Sequence, residues 1–190
     1  MLILASESPR RREILKQAGI QFEVREASVD ESMLPGESPA GHVRRLAQAK
    51  AEAVIPGPSD VVLGADTVVV LDDLVFGKPE GPEDAARMLR RLSGRWHEVI
   101  TGICLRSARR VLVETETTRV RFIRVPEAEI RACAESGEPL DKAGAYAIQG
   151  LASKFIDRIE GCYFNVVGLP VSRVYQALAA WSGADDFAAR

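Results

Sequence analysis

Cysteine, histidine and lysine are all scarce in this chain, and neither sign of charge dominates it. The three cysteines, at 104, 133 and 162, stand far apart. They form no CxxC pair, no zinc-ligand spacing and no even disulfide set, and they fit a reducing cytoplasm. The two histidines, His42 and His97, lack ligand spacing, so each reads as structural. A formal net charge of −2 offers nothing global to DNA, RNA or an anionic membrane. No basic–aromatic stripe points to a nucleic-acid module. No apolar run approaches the length of a membrane span, and Met1–Ala5 is too short for a signal peptide. Walker A, GxGxxG and GxSxG patterns are missing, which counts against kinases, dehydrogenases and esterases. Repeats, low-complexity tracts and long linkers are missing too. With 190 residues, the expectation is one domain over 1–190, with two lobes around a cleft.

What is present is organised around Val61–Leu71. The run is rich in Val and Leu, the composition of a buried central strand, yet Asp66 stands in its middle. A buried carboxylate is costly unless a cation, a metal or a polarised water compensates it. Gly64 and Ala65 carry little bulk and allow another group close to the backbone. From this stretch alone, a strand end or bulge with Asp66 at the surface is an equal reading.

A strand at Leu2–Ala5 precedes Ser6-Glu7-Ser8-Pro9-Arg10-Arg11-Arg12. Ser8 as N-cap and Pro9 as first residue predict a helix, with Ile14, Leu15 and Ala18 on its apolar face and Gly19 as its stop. Free N–H groups, the hydroxyls of Ser6 and Ser8 and the Arg side chains converge there, a recipe for binding phosphate oxygens. The alternative is a capped helix with a solvated basic turn, but cations in a first turn oppose the helix dipole. Ile20–Val24 alternates as a strand, and Asp30-Glu31 lies in the polar loop beyond. Ser38-Pro39 opens a helix to about Val54 with Val43, Leu46, Ala47, Ala51 and Val54 inward; periodicity alone leaves the direction of Lys50 open. Asp72-Asp73 reads as a turn before the short strand Leu74–Phe76. Lys78, between Gly77 and Pro79, is a phosphate contact or a plain surface turn. Further on come a helix from Pro82 to Ser93, strands over Arg95–Leu105 and Val111–Val125 joined at Arg109-Arg110, and a helix from Pro126. Pro139–Gly150 has no period and reads as a functional loop. A strand near Ile156 and a final helix from Pro170 to Trp181 complete a mixed α/β (α+β) pattern. Separate cations and carboxylates without a His or Cys cluster fit a Mg²⁺–polyphosphate site, in which Asp66 and Glu31 hold the metal or orient water.

Several blocks also resemble the Maf (septum-formation) family. They are Leu4–Arg11, Gly64–Val69, Gly77-Lys78-Pro79, Leu92-Ser93-Gly94 with His97, Val99, Thr101 and Gly102, Asp141–Gly150 and Asn165–Pro170, in order from residue 2 to about residue 180. The resemblance implies a nucleoside triphosphate pyrophosphatase that cuts the α–β phosphoanhydride with Mg²⁺ or Mn²⁺. It also implies an elongated mixed sheet flanked by helices, with a cleft as in the inosine triphosphatase fold, and often a homodimer. By position, Asp66 matches the proton acceptor that activates water, and Glu31, Lys50 and Lys78 match other polar active-site positions. Arg10, Thr67 and Gln149 match positions tied to substrate choice, and the Ala-Gly-Ala-Tyr-Ala-Ile-Gln-Gly run looks like the dTTP/UTP branch. Glu7 stands where a small or neutral residue is expected. Together these readings place Arg10, Arg11, Lys50 and Lys78 on the triphosphate and the amide of Gln149 on a pyrimidine edge. The runner-up is a nucleotide-binding regulator of cell division that acts through a protein partner.

Overall fold

The computed structural model describes residues 1–182; the tail expected to fray, 183–190, lies outside them. The strands are β1 (Leu2–Ala5), β2 (Phe22–Val24), β3 (Val61–Leu71), β4 (Leu74–Phe76), β5 (Trp96–Arg106), β6 (Val111–Phe122) and β7 (Ile156–Glu160). The helices are α1 (Pro9–Gln17), α2 (Pro39–Glu52), α3 (Pro82–Leu92), α4 (Glu127–Glu135), α5 (Tyr163–Val167) and α6 (Val171–Ser182). All seven strands join one mixed sheet of order β2-β1-β3-β5-β6-β7, with β4 paired to β3. The mixed α/β class read from the sequence is the class observed.

Strand β3 is the spine, and its two edges differ. On one edge it pairs antiparallel with β5 from Val62 to Val70. On the other it pairs in parallel with β1 only as far as Gly64, and antiparallel with β4 only from Val69. Among the described residues none pairs with 65–68 on that side, and the chain leaving Ala5 peels away from the sheet there. A parting of strands is where open α/β sheets take ligands. Asp66 and Thr67 sit in the gap on opposite faces, as the two-residue period of a strand requires.

Helix α2 covers the Asp66 face at unusually close range. A Cβ on Gly64 would lie 2.1 Å from the Ala47 carbonyl oxygen, and one on Gly102 would lie 2.2 Å from that of Val43. The opposite face carries two separate apolar clusters. One joins β1, α1 and α6 to the first half of β3 through Leu4, Leu15, Leu63 and Leu178. The other joins α3 and α4 to its second half through Val69, Leu89, Phe122 and Ile130. Thr67 stands between them.

Some local expectations need correction. Pro139–Gly150, expected as a loop, contains 3₁₀ turns at Glu138–Asp141 and Ala143–Ala145, while 146–150 has neither helix nor strand; another 3₁₀ turn follows at Leu151–Phe155. Ala145 and Tyr146 anchor the 139–150 stretch by docking in the second cluster. Ser8 occupies the N-cap position of α1, but its side chain makes no capping hydrogen bond. Ala18 is exposed rather than on the buried face of α1. Strand β6 stops at Phe122 because the Ile123 and Val125 amides turn away to Phe155 O and Ser93 Oγ.

His97 ties β5 to the segment after the Ala143–Ala145 turn. Its Nε2 lies 2.8 Å from the Tyr146 hydroxyl, and its ring stands edge-on to Phe122 and Tyr146. Burial lowers the imidazole pKa to about 4. The unfolded chain therefore takes up a proton near pH 6.5 that the fold refuses. The stability tied to neutral His97 is complete above that value and is lost as the pH falls toward 4, by up to about 3 kcal/mol. We expect His97→Gln to melt lower than wild type by a constant gap from pH 8 to about pH 6.5, with the gap narrowing from there down to pH 4.5. Melting curves that run parallel across this range would count against the assignment.

Candidate active site

A cleft of about 910 Å³ opens at the gap in the β3 edge, a volume suited to a nucleotide-sized ligand. Ser6, Ser8, Arg10, Arg11, Glu31, Lys50, Asp66, Thr67, Lys78 and Gln149 all line it. The structure thus brings every site residue read from the sequence to one place, although they come from six separate stretches of chain.

Lys50 settles the question that periodicity left open. It projects from α2 toward β3 and bridges two carboxylates, with Nζ 2.8 Å from Asp66 Oδ1 and 2.6 Å from Glu31 Oε1. Asp66 is 8% exposed in mid-strand, so it is neither a strand end nor a surface residue. Lys50 is also buried, whereas the Glu31 side chain is about half-exposed on its loop. Burial raises the Glu31 carboxyl pKa, but the hydrogen bond and charge of Lys50, with Lys78 and Arg11 behind it, outweigh burial and leave the pKa lowered. Two carboxylates on one ammonium leave one negative charge over. Asp66 Oδ2 and Glu31 Oε2 accept no hydrogen bond among the described residues, so both stay available to a cation or a water.

The four cations expected to meet the triphosphate differ in their commitments. Lys78 is exposed and makes no ion pair or hydrogen bond among the described residues. Arg10 reaches across the mouth of the cleft to Asp141, at 3.3 Å. The Asp141 carboxylate also accepts from Lys142, at 2.6 Å. Arg11 is buried and its donors are engaged. Nε donates to Gly168 O at 2.9 Å, Nη1 to Ser6 Oγ at 3.1 Å and Nη2 to Thr67 Oγ1 at 3.1 Å. Burial lowers the Arg11 pKa, opposed by the Asp66 charge, but a guanidinium stays charged in proteins. Thr67 Oγ1 lies 2.9 Å from the buried Thr101 Oγ1. Ser6 Oγ also accepts from the Ser8 amide. Gln149 is exposed at the far side, and its amide makes no hydrogen bond among the described residues.

Sequence reasoning missed Asp141, Lys142 and the Gly168 carbonyl as parts of the site. Asp141 and Lys142 were within reach, since they open the polar stretch already singled out. The carbonyl was not, because a backbone acceptor leaves no mark on residue type. No group of three or more His, Cys, Asp or Glu among the described residues is arranged to hold a metal. Asp66 and Glu31, with one residual negative charge and two oxygens that accept no hydrogen bond among the described residues, are the kind of donors a divalent cation takes alongside phosphate and water.

Comparison with known proteins adds an independent line. Residues 1–181 match the family model described as Maf-like protein. A protein of Koribacter versatilis named dTTP/UTP pyrophosphatase is 52% identical over 178 residues, covering 93% of this chain and 92% of its own. One of the same name from Anaeromyxobacter dehalogenans (strain 2CP-C) is 53% identical over 175 residues, covering 90% and 89%. A third, from Hahella chejuensis, is 51% identical over 174 residues, covering 90% and 87%.

Proposed function

The chain belongs to the Maf family, and from that premise we propose that it is a nucleoside triphosphate pyrophosphatase acting on dTTP and UTP. It hydrolyses the α–β phosphoanhydride to give the nucleoside monophosphate and pyrophosphate. The observation that carries this reading is the Asp66–Lys50–Glu31 cluster at the gap in β3, facing the uncommitted Lys78 across one cleft. Binding alone needs no buried carboxylate with a free oxygen, whereas activating water does. The printed names of the relatives also favour an enzyme over a regulator that only binds nucleotide.

The residues divide the work by chemistry. Asp66 Oδ2 accepts a proton from the attacking water. Lys50 orients Asp66 through its 2.8 Å contact with Oδ1. Lys78 and Arg10 neutralise phosphate oxygens, and Arg10 leaves Asp141 to do so. Arg11 holds Ser6 and Thr67 in place from below while adding its charge. Gln149 offers a donor and an acceptor at once to a pyrimidine edge. Asp66 and Glu31 would hold a divalent cation, Mg²⁺ or Mn²⁺, which when bound shields the phosphate charge. Most of the rate then comes from positioning and charge compensation. Three free cysteines among the described residues suit a reducing cytoplasm, and a homodimer is the family expectation.

The test is pyrophosphate release from dTTP, UTP, CTP, GTP and 7-methyl-GTP with Mg²⁺. We expect release from dTTP and UTP and little from the purines. No release from any of them by folded protein would overturn the proposal.

A further inference from the structure

Glu31 reaches Lys50 from the segment between β2 and α2, which has no regular secondary structure. A half-exposed carboxylate on such a segment needs something to fix its backbone. Helix α2 supplies it. Arg45 Nη2 donates to the Ser32 carbonyl at 2.8 Å, one residue past Glu31. The same guanidinium grips Glu37 with two donors, Nε at 2.7 Å and Nη2 at 2.8 Å. Glu37 also accepts from the Leu34 amide at 3.1 Å, and its other neighbour is the buried His42, with Nδ1 3.1 Å away. One guanidinium thus fastens both ends of the 32–37 turn to the helix that carries Lys50.

We infer that Arg45 is a positioning residue that sets where Glu31 stands relative to Lys50 and Asp66. It touches no substrate, because it does not line the cleft. The inference rests on the site role proposed for Glu31. The clasp is suited to the task. Glu37 is largely buried (11% side-chain exposure), and the hydrogen bond from Arg45 holds its carboxyl pKa down to about 2, so the clasp remains ionised at any working pH. A planar fork can serve Glu37 and the Ser32 carbonyl together, whereas a lysine ammonium is a single point on a flexible stem.

A double-mutant cycle tests it, with kcat and KM for UTP measured in Mg²⁺ on the full chain and melting temperatures recorded alongside. Arg45→Met in the wild-type background is expected to lower kcat/KM about 10- to 100-fold, the range seen when a group orienting a metal-site ligand is removed. In the Glu31→Gln background the same change is expected to cost less than about twofold, because the residue it positions has already lost its function. Arg45→Lys is expected to recover only part of the loss. An equal loss in both backgrounds, or no loss in either, overturns the positioning role. Glu31→Gln with wild-type turnover would instead overturn the role of Glu31, and the inference with it. If Arg45→Met does not fold, Glu37→Gln takes its place in the same cycle with the same criteria.

Discussion

Asp66→Asn is expected to cut turnover of dTTP and UTP by about 10²- to 10⁴-fold, the range for loss of a positioned general base, while the protein melts within a few degrees of wild type. Two opposing effects decide the stability side. Removing one member of a buried ion pair usually costs several kcal/mol, because a charge is left uncompensated. Here Lys50 keeps Glu31 as a partner at 2.6 Å, and an asparagine oxygen can still accept at the Asp66 Oδ1 position, 2.8 Å from Nζ. The substitution also removes the surplus negative charge of the cluster. The net effect is therefore small, and a slight rise in stability would fit a site that trades stability for function. Steady-state turnover over a range of Mg²⁺ concentrations, with thermal melting in parallel, checks both halves. Turnover near the wild-type value in a folded variant would take Asp66 out of the mechanism. Rescue by high Mg²⁺ would remove the proton-acceptor role and leave Asp66 as a cation ligand alone.

Asp66 could be found from sequence because a carboxylate in a run of Val and Leu is a local anomaly. The helix start at Ser8-Pro9 and the turn at Asp72-Asp73 were readable for the same reason, and both central turn residues do have positive φ, 50° and 62°. The direction of Lys50 is legible once strand and helix periods are read together. Gly64 and Asp66 share a strand face by the period of two, and Ala47, Lys50 and Ala51 share a helix face by spacings of three and four. Small residues on both faces mark where helix and strand touch, and they put Lys50 beside Asp66. The separate fates of Arg10 and Arg11 were not legible. They are adjacent and chemically identical, and the acceptor that engages Arg11 Nε is a carbonyl 157 residues away. The gap in the β3 edge was equally hidden, because it depends on where β1 ends and β4 begins along a shared neighbour. The two short strands were each readable, but not that both pair with the same edge of β3.

That contact between helix and strand yields the largest structural prediction. Gly64→Ala is expected to destabilise the protein by about 3 kcal/mol or more, toward the top of the range for overpacking. A Cβ there would stand 2.1 Å from Ala47 O, 2.8 Å from Ala51 N and 3.1 Å from Ala51 Cβ. Two of these are backbone atoms of α2, so no side-chain rotation relieves the clash and the helix itself must move out. Val43, Leu46, Ala47 and Ala51, all buried on that helix, would lose close contact with the sheet. For a chain of this length the cost corresponds to a fall of roughly 10 °C in melting temperature. Function would fall as well, because α2 carries Lys50 and any outward shift lengthens its 2.8 Å contact with Asp66. Gly77→Ala is the stability control, since a Cβ there meets nothing within 4 Å; it should leave melting unchanged. A Gly64→Ala protein with wild-type melting and turnover would show that α2 can withdraw freely, and that its distance from β3 does not set the geometry of the site.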